Sequence, residues 1–329
     1  MVKCRILSDI HYTSRINGPD FGDPFNTSLF YEKYYKELQK DTDCINLIAG
    51  DIAAGIDKHK EFLEGFFPNQ QVIFVDGNHL VYEYTKDNRY PILSELKKEL
   101  KQEFPITHLF WRYLENDWCW IDENTAIIGS TFYTDYNYCD LTLEEFNKRL
   151  KAWDVWFQAY GLHNKYEPVE KLTKQIIRNE TMAEAGSRMN DFRWGKENKH
   201  FYLSPEYYLK LHKLAKKEVK RCHDEILKIN SNAKIILMTH HGLSPKIISE
   251  EYKKGLLNAS YTSDLENWVD KKLPNVRLVI SGHVHNRCDF TFGKNNIRYI
   301  TNPCGYIPCG ENNNKPKFNP NLIIDTDKL

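Results

Sequence analysis

Five short apolar runs, at residues 2–7, 45–49, 72–75, 235–238 and 276–280, limit most strongly what this chain can become. Each is four to six residues long, rich in β-branched side chains and closed by a glycine or a polar turn, which suits strands better than helices. The last four are almost continuously apolar, as strands covered on both faces must be. Helical patterns follow several of them: residues 28–40, capped by Thr27 or Ser28, and 92–101, which follow Pro91. Strand followed by helix, repeated, predicts an α/β fold with a largely parallel sheet. Residues 117–133 hold two β-rich pieces around Asp122-Glu123-Asn124, a hairpin signal, and residues 288–325 carry further short strands between polar turns. Between about 140 and 230 the pattern is helical, and this stretch is expected to form an insertion, or cap, within a single domain spanning 1–329.

The bulk numbers exclude several classes. With 41% hydrophobic and 27% charged residues among 329, the chain reads as a soluble globular protein. Its 45 basic and 45 acidic residues cancel, which argues against a dedicated electrostatic binder of long nucleic acid. No run approaches the ~20 apolar residues of a membrane span, and the N-terminus lacks the pattern of a signal peptide. The eight scattered cysteines include no Cys-x-x-Cys pair, so reduced thiols and a cytoplasmic location are expected.

The chemistry lies in what closes each run. Residues 2–7 lead to Asp9 and His11, 45–49 to Gly50-Asp51, and 72–75 to Gly77-Asn78-His79. Residues 235–238 lead to His240-His241, and 276–280 to Gly282-His283-Val284-His285. Singly, these are ordinary turn residues, caps or core histidines. Together they place carboxylate, amide and imidazole groups at the C-terminal edge of a parallel sheet, where adjacent loops converge on ligands. The i, i+2 spacing of Asp9/His11 and of His283/His285 directs both members of each pair to one side of an extended segment. Glycines 50, 77 and 282 permit sharp turns and close backbone approach. Carboxylate and imidazole donors without thiolate suit Mn, Fe, Zn, Co or Ni. A carboxylate such as Asp51 is able to bridge two cations roughly 3.5–4 Å apart, the arrangement used for attack on phosphorus.

This series resembles that of the calcineurin-like metallophosphoesterases, and the match frames residues 9 to 285. The stretches "IIGSTFYTDYN", "MNDFRW", "MTHHGLSP" and "GHVHNRCDFTFGKNNIRYITNPCGY" are also similar to a bacterial and phage branch of predicted phosphohydrolases. The resemblance implies a four-layer α/β/β/α sandwich with two mixed β-sheets. It implies a first metal held by Asp9, His11, Asp51 and His285, and a second by Asp51, Asn78, His240 and His283. Asp51 would bridge them, and Mn²⁺ is the expected ion. His79 would sit over the substrate phosphate, and His241 would orient a ligand or loop. The implied reaction is in-line attack on phosphorus by a hydroxide shared between the metals.

One position departs from the pattern: Leu80 stands where the family has Asp or Glu after the Asn-His pair. Glu83 or Asp76 is the expected replacement as partner of His79. The expected substrate is a phosphorylated small molecule or nucleotide, cleaved as a monoester or small diester. Alternatives are a nuclease, or a non-catalytic binding scaffold on the same fold. Within the insertion, Arg193, Lys196, Lys199 and His200 lie among aromatics, either as a phosphate-side or base-stacking surface or as a solvated loop. Lys210 to Lys228 reads as an amphipathic helix with a solvated basic face.

Overall fold

Alternate side chains of each central strand enter different apolar layers, which explains why the runs show no polar alternation. The computed structural model describes residues 2–12, 33–82, 93–159, 166–193, 203–306 and 318–329; the side chains of 156–159 and of Arg193 lie outside that description. The first sheet runs in the order β11-β1-β2-β3-β4, from β1 (Lys3–Leu7), β2 (Ile45–Ala49), β3 (Val72–Val75), β4 (Trp111–Tyr113) and β11 (Ile323–Asp325). Strands β1 to β4 are parallel, and β11 joins β1 antiparallel. The second sheet has the order β5-β6-β7-β8-β10-β9. Its strands are β5 (Asp117–Trp120), β6 (Thr125–Ser130), β7 (Lys234–Thr239), β8 (Val276–Ser281), β9 (Cys288–Phe292) and β10 (Ile297–Thr301). Strands β6, β7, β8 and β10 are parallel, with β5 and β9 antiparallel at the edges.

Three clusters make the layers. Ile6, Leu47, Ile73 and Val75 of the first sheet meet Ile127, Ile236, Met238 and Leu278 of the second. Leu7, Ile48 and Phe74 turn the other way, onto Phe62 and Phe66 of α1 (Ile56–Phe66) and Leu96 and Leu100 of α2 (Leu93–Glu103). Ile128, Ile235 and Leu237 face the opposite helical layer. The result is the four-layer sandwich of two mixed sheets that the sequence implied. Each fully buried Leu, Ile or Val contributes about 1.5–3 kcal/mol, so a polar alternation in these strands would not be tolerated.

The helical stretch from 140 to 230 divides in two. Three helices, α3 (Leu143–Ala159), α4 (Lys174–Arg188) and α5 (Asn190–Arg193), form the inserted part. Phe146 and Leu141 build a small core there against Leu256, and buried Glu184 pairs with Arg149 at 2.6 Å and Arg188 at 2.7 Å. The last helix, α6 (Pro205–Ile229), belongs to the sandwich itself. Ala215, Val219, Cys222 and Ile226 cover the second sheet, beside Val269 of α7 (Glu266–Lys272). Ser204 caps α6 by accepting from the Tyr207 N–H, with Pro205 at its first position. Several of its basic side chains are in ion pairs, including Lys220–Asp224 and Arg221–Glu225. No described helix is long and apolar enough to cross a membrane.

Candidate metal centre

Every parallel strand of both sheets ends on the same side, and the polar residues that close them converge. Asp9, His11, Asp51 and His240 are all at most 2% exposed, Asn78 is 4% and His283 9%. Three groups place ligand atoms within 4.8 Å of one another: Asp9/His11/His285, His11/Asp51/His79 and Asp51/His240/His283. Asp51 is common to the second and third. Its Oδ2 lies 3.3 Å from His240 Nε2, 3.8 Å from His79 Nε2 and 4.0 Å from His11 Nε2. His285 Nε2 is 3.5 Å from Asp9 Oδ1 and 2.9 Å from His11 Nε2.

The backbone achieves this differently from the extended segments expected. Asp9, His11, Asp51, His283 and His285 have φ of 52°, 49°, 51°, 67° and 49°, a left-handed conformation that costs roughly 1–2 kcal/mol per residue without glycine. Hydrogen bonds between strand ends, within the first sheet and across to the second, hold Asp9, His11 and His283 there. The Asp9 and His11 N–H groups donate to the carbonyls of Gly50 and Asp51 at 3.0 and 2.9 Å, and His283 N–H donates to Asp9 Oδ1 at 2.8 Å. Such concentrated strain is the mark of a site over-determined by its surroundings.

The donor set fits a pair of divalent cations. Asp9 Oδ2, His11 Nδ1 and His283 Nε2 are buried without a hydrogen-bond partner, although buried polar atoms are normally satisfied. Burial, reinforced by neighbouring imidazoles, holds the His11 and His283 pKa values well below their usual range, leaving neutral rings able to bind metal. Burial alone would raise the Asp51 carboxyl, but the facing imidazoles of His240, His79 and His11 outweigh it and keep the group ionised. Conversely, burial would lower His240, but Asp51 moves it up to about 9.

His241 is buried beside the cluster, its Nδ1 3.3 Å from the Thr131 carbonyl and its ring 4.3 Å from that of His283. Glu83 lies outside the described residues, as do Lys196, Lys199 and His200. Of Arg193 only the backbone is described, at the end of α5. Asp76 is engaged elsewhere: Tyr113 and Thr131 hydroxyls donate to its Oδ1 at 2.8 and 2.6 Å, and Lys97 Nζ lies 3.3 Å from Oδ2. His79 Nε2 has Asp51 Oδ2 at 3.8 Å on one side and the Tyr306 hydroxyl within hydrogen-bond distance, at 3.1 Å, on the other. Leu80 is buried in the apolar cluster outside the first sheet.

Four further residues shape the site. Asp191 accepts from Asn78 Nδ2 at 2.9 Å and from the Tyr82 hydroxyl at 2.6 Å. Burial raises its pKa to about 6, against the lowering effect of those two hydrogen bonds. Tyr261 stacks on His283 with centroids 4.8 Å apart. Tyr306 stacks on His11 at 4.4 Å, carried there by the segment after β10. Asp191 and Tyr306 fall in the stretches "MNDFRW" and "NPCGY", a signal without a role; Tyr261 has no sequence signal. Above the cluster opens a cleft of about 530 Å³, lined by tyrosines 82, 252, 261 and 306 and by Arg188 and Leu257, among others.

Two packed mixed sheets, flanked by helices and closed by this strand-end series, give the chain the fold of the calcineurin-like metallophosphoesterases. A crystallised phosphopantetheinyl hydrolase from Mycobacterium tuberculosis shares the fold with a TM-score of 0.59 and 18% identity, covering 95% of this chain and 93% of that one. A dimetal phosphatase from Danio rerio aligns with a TM-score of 0.43 and 12% identity over 91% and 86%. No family model and no curated protein matches the sequence.

Proposed function

We propose that the protein hydrolyses small phosphate esters with two divalent cations. The observation that carries this reading is the pair of groups Asp9/His11/His285 and Asp51/His240/His283, with buried nitrogen and oxygen atoms left unsatisfied. Asp9, His11, Asp51 and His285 would hold one cation; Asp51, Asn78, His240 and His283 would hold the other. When bound, such a pair lowers the pKa of water toward neutrality and neutralises charge on a phosphoryl group. His79 lines the cleft and supplies a hydrogen bond or a proton to the leaving oxygen through Nε2. Tyr306, beside that nitrogen, orients the ring. No cysteine or serine nucleophile is required.

The cleft favours a small substrate over a polynucleotide. Among its described lining, Arg188 is the one lysine or arginine, whereas single-stranded nucleic acid is held in a basic groove. Arg188 is half-exposed and shares Glu184 with Arg149, leaving guanidinium donors for an anionic group of the substrate. Arg188→Ala is therefore expected to raise KM by about tenfold or more with little change in kcat, as for a charged hydrogen bond of roughly 1.5–3 kcal/mol. Steady-state kinetics check this, and an unchanged KM removes Arg188 from substrate binding.

The reading as a whole is tested by metal analysis of purified protein, then hydrolysis of p-nitrophenyl phosphate and bis-p-nitrophenyl phosphate with added Mn²⁺. Two metals per chain with turnover of either ester support it, and the preferred ester separates monoesterase from diesterase. Protein that neither binds metal nor cleaves either ester is a binding scaffold instead.

A further inference from the structure

We infer that Asp191, a carboxylate from the helical insertion, is a positioning residue for the metal pair: it fixes which end of the Asn78 amide faces the cations. This rests on the two-cation reading above. An ionised carboxylate only accepts hydrogen bonds, so its contact with Asn78 must be to the NH₂ group, and Nδ2 indeed lies 2.9 Å from Asp191 Oδ1. The Tyr82 hydroxyl, 2.6 Å from the same oxygen, also lies 3.1 Å from Nδ2 and completes the clamp. With the NH₂ end held, Oδ1 of Asn78 is turned inward, 3.1 Å from His240 Nε2. That is the orientation a metal ligand needs, because the amide oxygen binds a cation and the NH₂ group does not. Without an acceptor behind it, the amide is free to turn its NH₂ toward Asp51 and His240.

The clamp comes from the inserted helices, which have a small core of their own, while Met189 and Phe192 on either side of Asp191 join the cluster outside the first sheet. Asp191 lies on α5, directly after α4, and is 3% exposed. The insertion therefore does more than roof the cleft: one of its buried side chains sets a ligand of the second cation. Groups that orient metal ligands are commonly worth 10- to 100-fold, here about that much in affinity for the second ion.

The test is Mn²⁺ binding to the full chain, with free Mn²⁺ followed by electron paramagnetic resonance. Wild type is compared with Asp191→Leu, Tyr82→Phe and Asn147→Ala. Asn147 hydrogen-bonds Val169 within the insertion, remote from the metal ligands in its contacts, and its variant reports on loosening of the insertion alone. Asp191→Leu, close in volume but without an acceptor, should bind the first ion as wild type does and the second about 10- to 100-fold more weakly. Tyr82→Phe should weaken the second site in the same direction, and it decides the matter should Asp191→Leu fail to fold. Asn147→Ala should bind both ions as wild type does.

Two-site binding unchanged in both Asp191→Leu and Tyr82→Phe would overturn the inference. So would an equal loss of the second ion in Asn147→Ala, which would trace the effect to insertion packing. Wild type that binds no Mn²⁺ overturns the two-cation reading itself, a different outcome from either.

Discussion

Asp51→Asn is expected to leave the fold in place while lowering phosphoester hydrolysis on the order of 10³-fold, the loss of several kcal/mol of charge stabilisation. The substitution is close to isosteric, so the packing around a side chain that is 2% exposed hardly changes. The hydrogen bond from His79 N–H to Oδ1, 3.0 Å long, is also retained when the amide oxygen takes that position. What disappears is the charge on Oδ2, the atom that faces His240, His79 and His11 together. An amide NH₂ there presents hydrogens to the space where the two donor groups meet. Bound metal, measured by elemental analysis, should fall from two per chain to one or none. Two metals per chain with turnover within tenfold of wild type would remove Asp51 as the shared ligand.

The same geometry separates Asp51 from its neighbours in expected severity. In the proposed scheme Asn78 and Asp191 serve one cation, so their variants should retain the other. His79 appears in one potential ligand group, but its Nε2 faces Tyr306 and the cleft, and it holds no cation in the proposed scheme. Its loss should therefore depress kcat without releasing metal. Metal content and turnover thus sort the residues by role, which activity alone would not do.

The core strands were legible because their physical signal is local. Double-sided burial forces contiguous apolar runs, and Ile45–Ala49 and Val72–Val75 match the sequence reading at both ends. The others differ by a residue at an end, Lys234–Thr239 being one residue longer at each. The ligand candidates were legible for the same reason, since each follows its strand by one to five residues. Strand β4, three residues with only Tyr113 buried, carries no such signal. On α6, the apolar positions Ala215, Val219, Cys222 and Ile226 are buried as their helical spacing requires, yet Leu214, in the same pattern, is 46% exposed, and His212 and His223 are buried. Their ring nitrogens are satisfied by the carbonyls of Tyr133 and Pro274, a compensation no helical periodicity reveals. Asp191 and Asn78 are 113 residues apart, and Tyr306 reaches His79 across 227. Such contacts depend on how the insertion and the last strands settle on the sandwich, and nothing near either residue encodes it.

Gly50→Ala should be among the most damaging single-methyl changes in the chain. Gly50 has φ +86°, and a Cβ there would lie 2.3 Å from His240 Nδ1 and 2.7 Å from the Asp76 carbonyl oxygen. The left-handed conformation costs alanine about 1–2 kcal/mol, and forcing a methyl group into a packed site adds about 1–3 kcal/mol. The crowded atoms offer little room to relax. His240 is wholly buried, and its Nδ1 is held 3.0 Å from the Ala49 carbonyl. The Asp76 oxygen is backbone, and the Gly50 carbonyl itself receives the Asp9 N–H. Relief by tilting the His240 ring would move Nε2 away from Asp51 and Asn78, so lost stability and lost affinity for the second cation should appear together. The sum is a destabilisation of roughly 2–5 kcal/mol, read from the urea midpoint of the metal-free protein, with weaker Mn²⁺ binding in the same variant. A wild-type midpoint would show that the β2 turn has room the geometry denies it. A lowered midpoint with wild-type Mn²⁺ affinity would mean that the backbone yields while His240 stays in place.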